Sequence, residues 1–225
     1  MSVLATSDPY VAFTRRFFAR WSPLYDWFAK PIGFAYGAAV RLSDARAGRS
    51  ILDLCTGTGE IALRCGRRGA RVTAVDLTLA MLTRAERKTR LIRSPSPQGE
   101  GARLFAVRYA GMDARRLAFP DRSFDAVLLS FALHDMPRKV RVQVLREAAR
   151  VSRETLVVLD YDVPRRAPWR RAVLAGLGLF ETPFLADFAK QGARGALEEA
   201  GLEIRETLRP LPGLFVIHLV TFPAS

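Results

Sequence analysis

From Ser50 onward the chain alternates short apolar runs with longer mixed segments, and that rhythm admits few folds. Ile51–Leu54, Val72–Val75, Leu104–Tyr109, Phe124–Phe131 and Leu156–Leu159 read as strands buried on both faces, because they are nearly continuous in apolar residues. Segments of helical length lie between them, near 59–68, 79–92, 139–151 and 187–200. In the third, Val140, Val144, Ala148 and Val151 fall on one helical face. Strands alternating with helices build βαβ units, which predicts an α/β fold with a doubly wound sheet. The end breaks the rhythm. Glu203–Arg209 and Leu214–Phe222 are joined by Pro210-Leu211-Pro212-Gly213 with no helix between them, so they should pair antiparallel.

Residues 8–48 are of another kind, rich in aromatics and alanine. Phe13, Phe17, Trp21, Tyr25 and Phe28 recur at helical spacing, while Pro23 and Pro31 interrupt them, which predicts two or three short helices. A length of 225 residues suits one domain, with 1–48 a helical cap and 49–225 the α/β core. Ser94–Gly101 is polar, rich in proline and glycine and without an apolar period, and is expected to be a surface loop or a disordered insertion. No apolar run reaches 18 residues, and the amino terminus lacks the charged start and apolar stretch of a signal peptide. Cys55 and Cys65 have no metal-ligand spacing, so no metal site is expected, and they suit a small-residue role in a reducing cytoplasm. The formal charge of +13 fits either attraction to an anionic partner or a genome that favours arginine, since only four of the 35 basic residues are lysine.

The strongest chemical signal is Ile51-Leu52-Asp53-Leu54-Cys55-Thr56-Gly57-Thr58-Gly59-Glu60. A buried strand ends in a carboxylate and a glycine turn, and a helix follows. Glycine lets backbone approach a ligand closely, and the helix start offers free N–H groups. Gly57-x-Gly59-x-x-Ala62 with Asp76 at the end of the next strand also satisfies a dinucleotide-binding fingerprint. Three features turn the reading away from a nicotinamide dinucleotide. Asp53, in the approach to the turn, would repel a pyrophosphate and suits a ligand bearing an ammonium group. Asp76 is followed by Leu77-Thr78-Leu79-Ala80-Met81, an apolar wall for ribose and adenine. Asp113 follows the third strand, where a carboxylate can accept a hydrogen bond from the adenine amino group.

This series resembles the class I S-adenosylmethionine-dependent methyltransferases, in the branch of the ubiquinone/menaquinone C-methyltransferases. The resemblance covers residues 50 to about 136 well and the remainder in outline. It implies a Rossmann-like sheet of seven strands, mostly parallel with the last antiparallel, and S-adenosyl-L-methionine as cofactor. It further implies that Asp53 and the turn Cys55, Thr56, Gly57, Thr58 and Gly59 hold the methionine part of the cofactor. Asp76 then binds the ribose hydroxyls, Leu77 and Met81 lie against the adenine, and Asp113 with the backbone of Ala114 faces its edge. Cys55 departs from the pattern, standing where many members have their first glycine.

The acceptor side is less determined. The fourth strand ends in Ser130-Phe131-Ala132-Leu133-His134-Asp135, at the sheet edge where such folds bind ligands, so Ser130 joins the cofactor candidates. His134 can serve as a base with Asp135 beside it, or cap the loop under the cofactor. Tyr25, in a Tyr-Asp pair similar to one in the quinone-methylating branch, can close over the cofactor or simply pack. A phenol or quinol ring, or another lipophilic small molecule, is the expected acceptor. The competing acceptors are a lipid headgroup, a soluble metabolite and RNA, and a catalytically silent cofactor-binding protein is the remaining alternative. RNA is disfavoured because Ser130-Phe131-Ala132-Leu133 stands where an Asn-Pro-Pro-Tyr type of motif would act. Arg165, Arg166, Arg170 and Arg171 around Trp169 suit either peripheral contact with an anionic membrane, at its inner face, or the solvated start of a core helix.

Overall fold

The computed structural model describes residues 8–29, 32–93, 107–162, 182–212 and 214–223. The expected Ser94–Gly101 loop, the arginine pairs around Trp169 and the first residues of the third expected strand lie outside them. Seven strands form one sheet: β1 (Ser50–Leu54), β2 (Arg71–Asp76), β3 (Val107–Gly111), β4 (Phe124–Ser130), β5 (Ser152–Tyr161), β6 (Glu206–Leu211) and β7 (Phe215–Thr221). Their spatial order is β3-β2-β1-β4-β5-β7-β6. Every pair from β3 across to β5 is parallel, and β7 runs antiparallel to both its neighbours. The doubly wound, Rossmann-like architecture expected from the alternation is therefore present, with the terminal hairpin placed as its pattern required.

Register explains why the chemistry gathers at one edge. Leu54 pairs with Val75 and Leu129, Asp76 with Gly111, and Ser130 with Leu159. The carboxyl ends of five strands thus finish level, and the order in which strands are added reverses between β1 and β4, the point at which such sheets bind ligands. Helices cover both faces. α2 (Gly33–Leu42) and α3 (Glu60–Arg67) pack on one side, where Ile51, Val72, Ala126, Leu128 and Ile217 are buried, and α4 (Leu79–Arg93) packs against β2 and β3. α5 (Arg138–Val151) and α6 (Leu185–Ala200) pack on the other, over Leu52, Leu54, Val127, Leu129 and Val158. Alternate residues of each strand feed alternate cores, which is why the strands read as unbroken apolar runs.

Three local expectations are corrected. Pro23 does not end a helix: α1 runs unbroken over Pro9–Ala29 with the proline inside. A proline there leaves the carbonyl four residues earlier without its N–H donor, and the Ser22 hydroxyl donates to that carbonyl, Ala19 O, at 3.1 Å. β6 extends through Pro210, which the sequence reading had put in the turn. β6 is the edge strand and its register shifts between Leu208 and Leu211, so the missing N–H breaks no ladder bond that a regular strand would need. The last helix is not continuous either, because Gly192 takes non-helical backbone angles within it.

α1 lies across the carboxyl edge. Its face toward the sheet is Tyr10, Thr14, Phe18 and Tyr25. The stripe picked out in the sequence is offset by one position: Phe13 stacks on Phe17 at 5.7 Å and meets Phe184 edge-on at the same distance. We expect Ser22→Ala to lower stability by about 1 kcal/mol, measured by denaturant unfolding. Restoring the N–H donor with Pro23→Ala in the same chain should recover most of that loss. Equal stability of Ser22→Ala and the parent would show that Ala19 O is satisfied otherwise.

Candidate functional site

Asp53 sits at the end of β1 and is fully buried. Its Oδ2 accepts hydrogen bonds from the Thr56 hydroxyl and, at 2.9 Å, from the Ala62 N–H in the first turn of α3. Its Oδ1 has no hydrogen-bond partner among the described residues. Burial pushes this carboxyl up to about 7. Asp53 does not line the cavity but braces the turn from beneath. Held this way, the turn places Cys55, Gly57 and Gly59 at φ 57°, 53° and 84°. Gly59 tolerates no side chain, since a Cβ there would stand 2.9 Å from the Tyr109 hydroxyl. Cys55 adopts the left-handed conformation despite its side chain, at a cost of about 1–2 kcal/mol.

Asp76 ends β2 and is clamped to this turn. Its Oδ2 accepts from Gly57 N at 2.9 Å and its Oδ1 from Thr78 N at 2.8 Å. Each oxygen keeps a further lone pair for a ligand. Asp113, past β3, is gripped by Arg115, whose Nη2 approaches its Oδ2 to 2.7 Å. Arg115 also reaches Asp8, just ahead of α1, at 2.6 Å, and its guanidinium lies over the Tyr10 ring. At the other end of α1, the Thr58 hydroxyl and Lys88 Nζ both donate to Asp26 Oδ1, at 2.6 and 2.7 Å. Lys88 also holds Glu60, at 3.0 Å. Two ionic clusters therefore fasten α1 over the strand ends.

Beneath α1 is a cavity of about 70 Å³. Of the residues singled out in the sequence, Tyr25, Cys55 and Gly57 line one side of it. Asp76, Leu77 and Met81 line the next, followed by Asp113, Ala114 and Asp135. The rest of its wall is apolar apart from Thr14 and Arg115, with Met112, Phe131, Met136 and Val140 prominent. Thr56, Thr58, Gly59 and Ser130 stand outside the lining; the first three shape the turn. His134 also stands outside, 2% exposed, behind Asp135. Its Nδ1 lies 2.7 Å from Asp160 Oδ1 and its Nε2 3.2 Å from Asp135 Oδ2.

Sequence reasoning missed Asp8, Tyr10, Lys88, Arg115, Arg141 and Asp160. Only Asp160 carried a signal, an acid at the end of a buried strand. Arg141 is fully buried and donates to Leu133 O at 2.9 Å and to Asp187 at 3.0 Å, fixing the 3-10 turn Leu133–Asp135 against α6.

The electrostatics select a ligand. Asp76, Asp113 and Asp135 face the cavity, and these three with Asp53 all act on the Cys55 thiol, which burial pushes up so that it stays neutral. Arg115 is the one cation in the described lining. Such a chamber repels pyrophosphate and accepts a cation with an apolar, planar body. An ammonium and a sulfonium on an adenosine meet that description, so the donor set fits S-adenosylmethionine.

Comparison with known proteins agrees with this geometry. Residues 51–155 match a family model described as a methyltransferase domain. A demethylmenaquinone methyltransferase of Thermus thermophilus is 34% identical over 65% of this chain and 65% of its own length. A ubiquinone/menaquinone biosynthesis C-methyltransferase of Methylococcus capsulatus is 28% identical over 80% of this chain and 77% of its own. The chain spans between 49% and 65% of the length of the first three such relatives. Among solved structures, magnesium protoporphyrin IX methyltransferase from Synechocystis, with bound S-adenosylhomocysteine, superposes with a TM-score of 0.59 at 16% identity, covering 85% of this chain and 82% of that one. Over residues 51–155 the chain is thus similar to methyltransferase domains, and its relatives include enzymes of the ubiquinone/menaquinone C-methyltransferase branch.

Asp53 makes ligand-free stability depend on pH. Its folded-state pKa, about 7, lies above the ordinary unfolded value, about 3.9. Its contribution is therefore intact below about pH 4 and is lost as pH rises towards 7. Relative to the wild type, the melting temperature of Asp53→Asn should climb across that window and level off above it. A constant difference between pH 4 and 8 would contradict this assignment.

Proposed function

We propose that this chain transfers a methyl group from S-adenosylmethionine to a lipophilic small molecule carrying a hydroxylated ring, a quinol above all. The observation that carries the reading is the cavity itself: carboxylates at the ends of β2 and β3 face an otherwise apolar chamber roofed by aromatic residues of α1. The cofactor supplies a methyl group already activated on a sulfonium. What the chain must add is alignment, exclusion of water and removal of one proton from the acceptor.

In this reading Asp76 accepts hydrogen bonds from the ribose hydroxyls, while Leu77, Met81 and Met112 cover the adenine. Asp113 and the Ala114 backbone meet the adenine edge, with Arg115 holding the Asp113 carboxylate in place. Asp53 and the Cys55–Gly59 turn serve the methionine end, Asp53 through its grip on the turn. Ser130, outside the lining, supports the strand end beside it. Tyr25 lies over Gly57, where a Cβ would sit 3.7 Å from the tyrosine ring, so it closes the cofactor side. Asp135 is the polar group offered to the acceptor hydroxyl, with His134 behind it. Residues 1–48 act as a cap on a core of residues 49–225.

The quinone names of the relatives support the acceptor class, as does the apolar wall of Phe131, Ala132 and Met136. No helix among the described residues is long and apolar enough to cross a membrane. In this reading a membrane-borne quinol is met from the surface of the bilayer, at its cytoplasmic face.

Purified protein should bind S-adenosylmethionine and S-adenosylhomocysteine in calorimetric titration, and Asp76→Ala should weaken both roughly a hundredfold or more. Two hydrogen bonds to a charged group are lost, each worth about 1.5–3 kcal/mol. With isotopically labelled cofactor, a short-chain 1,4-dihydroxynaphthalene should acquire the labelled methyl group. Absent binding of either compound, or tighter binding of a nicotinamide dinucleotide, would overturn the reading.

A further inference from the structure

Two hydroxyl groups of α1 have no part in the function proposed above. Tyr10 and Thr14 lie four residues apart on the helix face that roofs the cavity, and both line it. Thr14 is 8% exposed, and its Oγ1 is buried without a hydrogen-bond partner among the described residues. Inside a helix a threonine hydroxyl can donate to the carbonyl one turn earlier. This one stands beside the Tyr10 hydroxyl instead, short of hydrogen-bond geometry. Burial pushes the Tyr10 phenol up, so it keeps its proton and remains a donor. The Arg115 guanidinium over its ring and Phe184 at 6.2 Å set the direction of that side chain.

A buried hydroxyl without a partner lowers stability, whereas valine would fill the same space without that penalty. The Thr14 hydroxyl therefore points to a polar group of something that enters the cavity. Which ligand it meets follows from what the cofactor leaves over. In the proposed function Asp76 and Asp113 serve the adenosine, Arg115 holds Asp113, and the Cys55–Gly59 turn serves the methionine end. The polar side chains that remain in the described lining are Asp135, beyond the end of β4, and Tyr10 and Thr14 on the roof. Tyr10 also packs against the core cluster that contains Ala132, Met136 and Val140, on the acceptor side.

We propose that Tyr10 and Thr14 are specificity-determining residues that bind a second oxygen of the methyl acceptor, across the ring from the hydroxyl that meets Asp135. The inference rests on the function proposed above and adds the chemistry of that second position. Two neighbouring hydroxyl donors suit an oxygen with free lone pairs, such as the far oxygen of a 1,4-dihydroxylated ring or a ring carbonyl. A ring with a single hydroxyl would leave both donors unpaired in an apolar wall. Unpaired groups of that kind give hydrogen-bonding sites their sharpest discrimination.

Thr14→Val tests the first step without any substrate. Removing an unpartnered buried hydroxyl should leave the melting temperature of the ligand-free protein equal to or above that of the parent. A fall of several degrees would show the hydroxyl to be satisfied already, and would overturn the proposal. Calorimetric affinity for S-adenosylmethionine should be unchanged in Thr14→Val and in Tyr10→Phe. A tenfold loss in either would put the pair on the cofactor side and overturn it as well. With S-adenosylhomocysteine present, under reducing conditions, the parent should bind 1,4-dihydroxynaphthalene roughly 100-fold more tightly than 1-naphthol. Each substitution should shrink that preference about tenfold, by weakening the diol. An equal preference in parent and variants, or equal losses for both naphthols, would overturn the proposal while leaving the cofactor assignment intact. A parent that binds S-adenosylmethionine but neither naphthol would overturn the acceptor class together with this inference. Failure of the parent to bind S-adenosylmethionine would overturn the function proposed for the chain.

Discussion

The bond between the buried Asp53 carboxylate and the first turn of α3 is the contact on which the site depends. It couples the end of β1 to the Thr56 hydroxyl and the Ala62 N–H, closing the loop between strand and helix. Only with that loop closed does Gly57 present its N–H to Asp76, and only then is the carboxylate of β2 held by two backbone donors. A fully buried carboxyl is a costly brace, since burial disfavours its charged form. A small uncharged residue at Asp53 would remove that cost along with both acceptor contacts. The brace fixes a backbone in which three residues take the left-handed conformation, one of them a cysteine.

The second constraint is the roof. An amphipathic helix laid over the strand ends would normally be held by apolar packing alone, yet α1 is also fixed by charge at each end. Asp8 reaches Arg115, which holds Asp113, while Asp26 reaches Lys88 and the hydroxyl of Thr58. Both anchors run to residues of the cofactor side rather than to remote surface. Half-buried ion pairs add little net stability, because desolvation offsets much of the attraction. Their effect here is geometric. They place Tyr10 and Tyr25 over the cavity and make the position of α1 depend on the same carboxylate that is proposed to meet the adenine.

The centre of the sheet was legible because β1, β4 and the latter half of β5 are buried on both faces and therefore leave nearly uninterrupted apolar runs. The glycine turn was legible because positive φ and close packing restrict what Gly57 and Gly59 can be. Asp76 and Asp113 stood out as acids at strand ends. The continuity of α1 was not readable, because it hangs on one hydroxyl, that of Ser22, standing in for the missing N–H of Pro23. Nor was the order of His134 and Asp135 around the cavity. They are adjacent in sequence, and which one faces the chamber is decided by the 3-10 turn, itself fixed by Arg141 from another helix. Long-range partners such as Asp160 leave no periodic trace in the chain.

Arginine illustrates the same gap between composition and role. A formal charge of +13 invites a search for an anionic partner. Within the described residues, however, several arginines are committed to the fold. Arg150 donates to Phe119 O, Leu117 O, Asp121 and Glu147, stitching the loop after β3 to α5. Arg141 fastens the 3-10 turn, Arg115 grips Asp113, and Arg49 pairs with Glu154. These guanidinium groups reach several acceptors at once, which a lysine ammonium does less well. The consequence for the site is one of contrast: a strongly basic molecule keeps Asp76 and Asp135 in a largely apolar cavity whose described lining holds Arg115 as its only cation. Long-range attraction for anions at the surface and short-range preference for a cation inside are thus separated within one chain. In the function proposed above, that separation would let a cationic cofactor be held by local carboxylates in a molecule whose overall field would repel it.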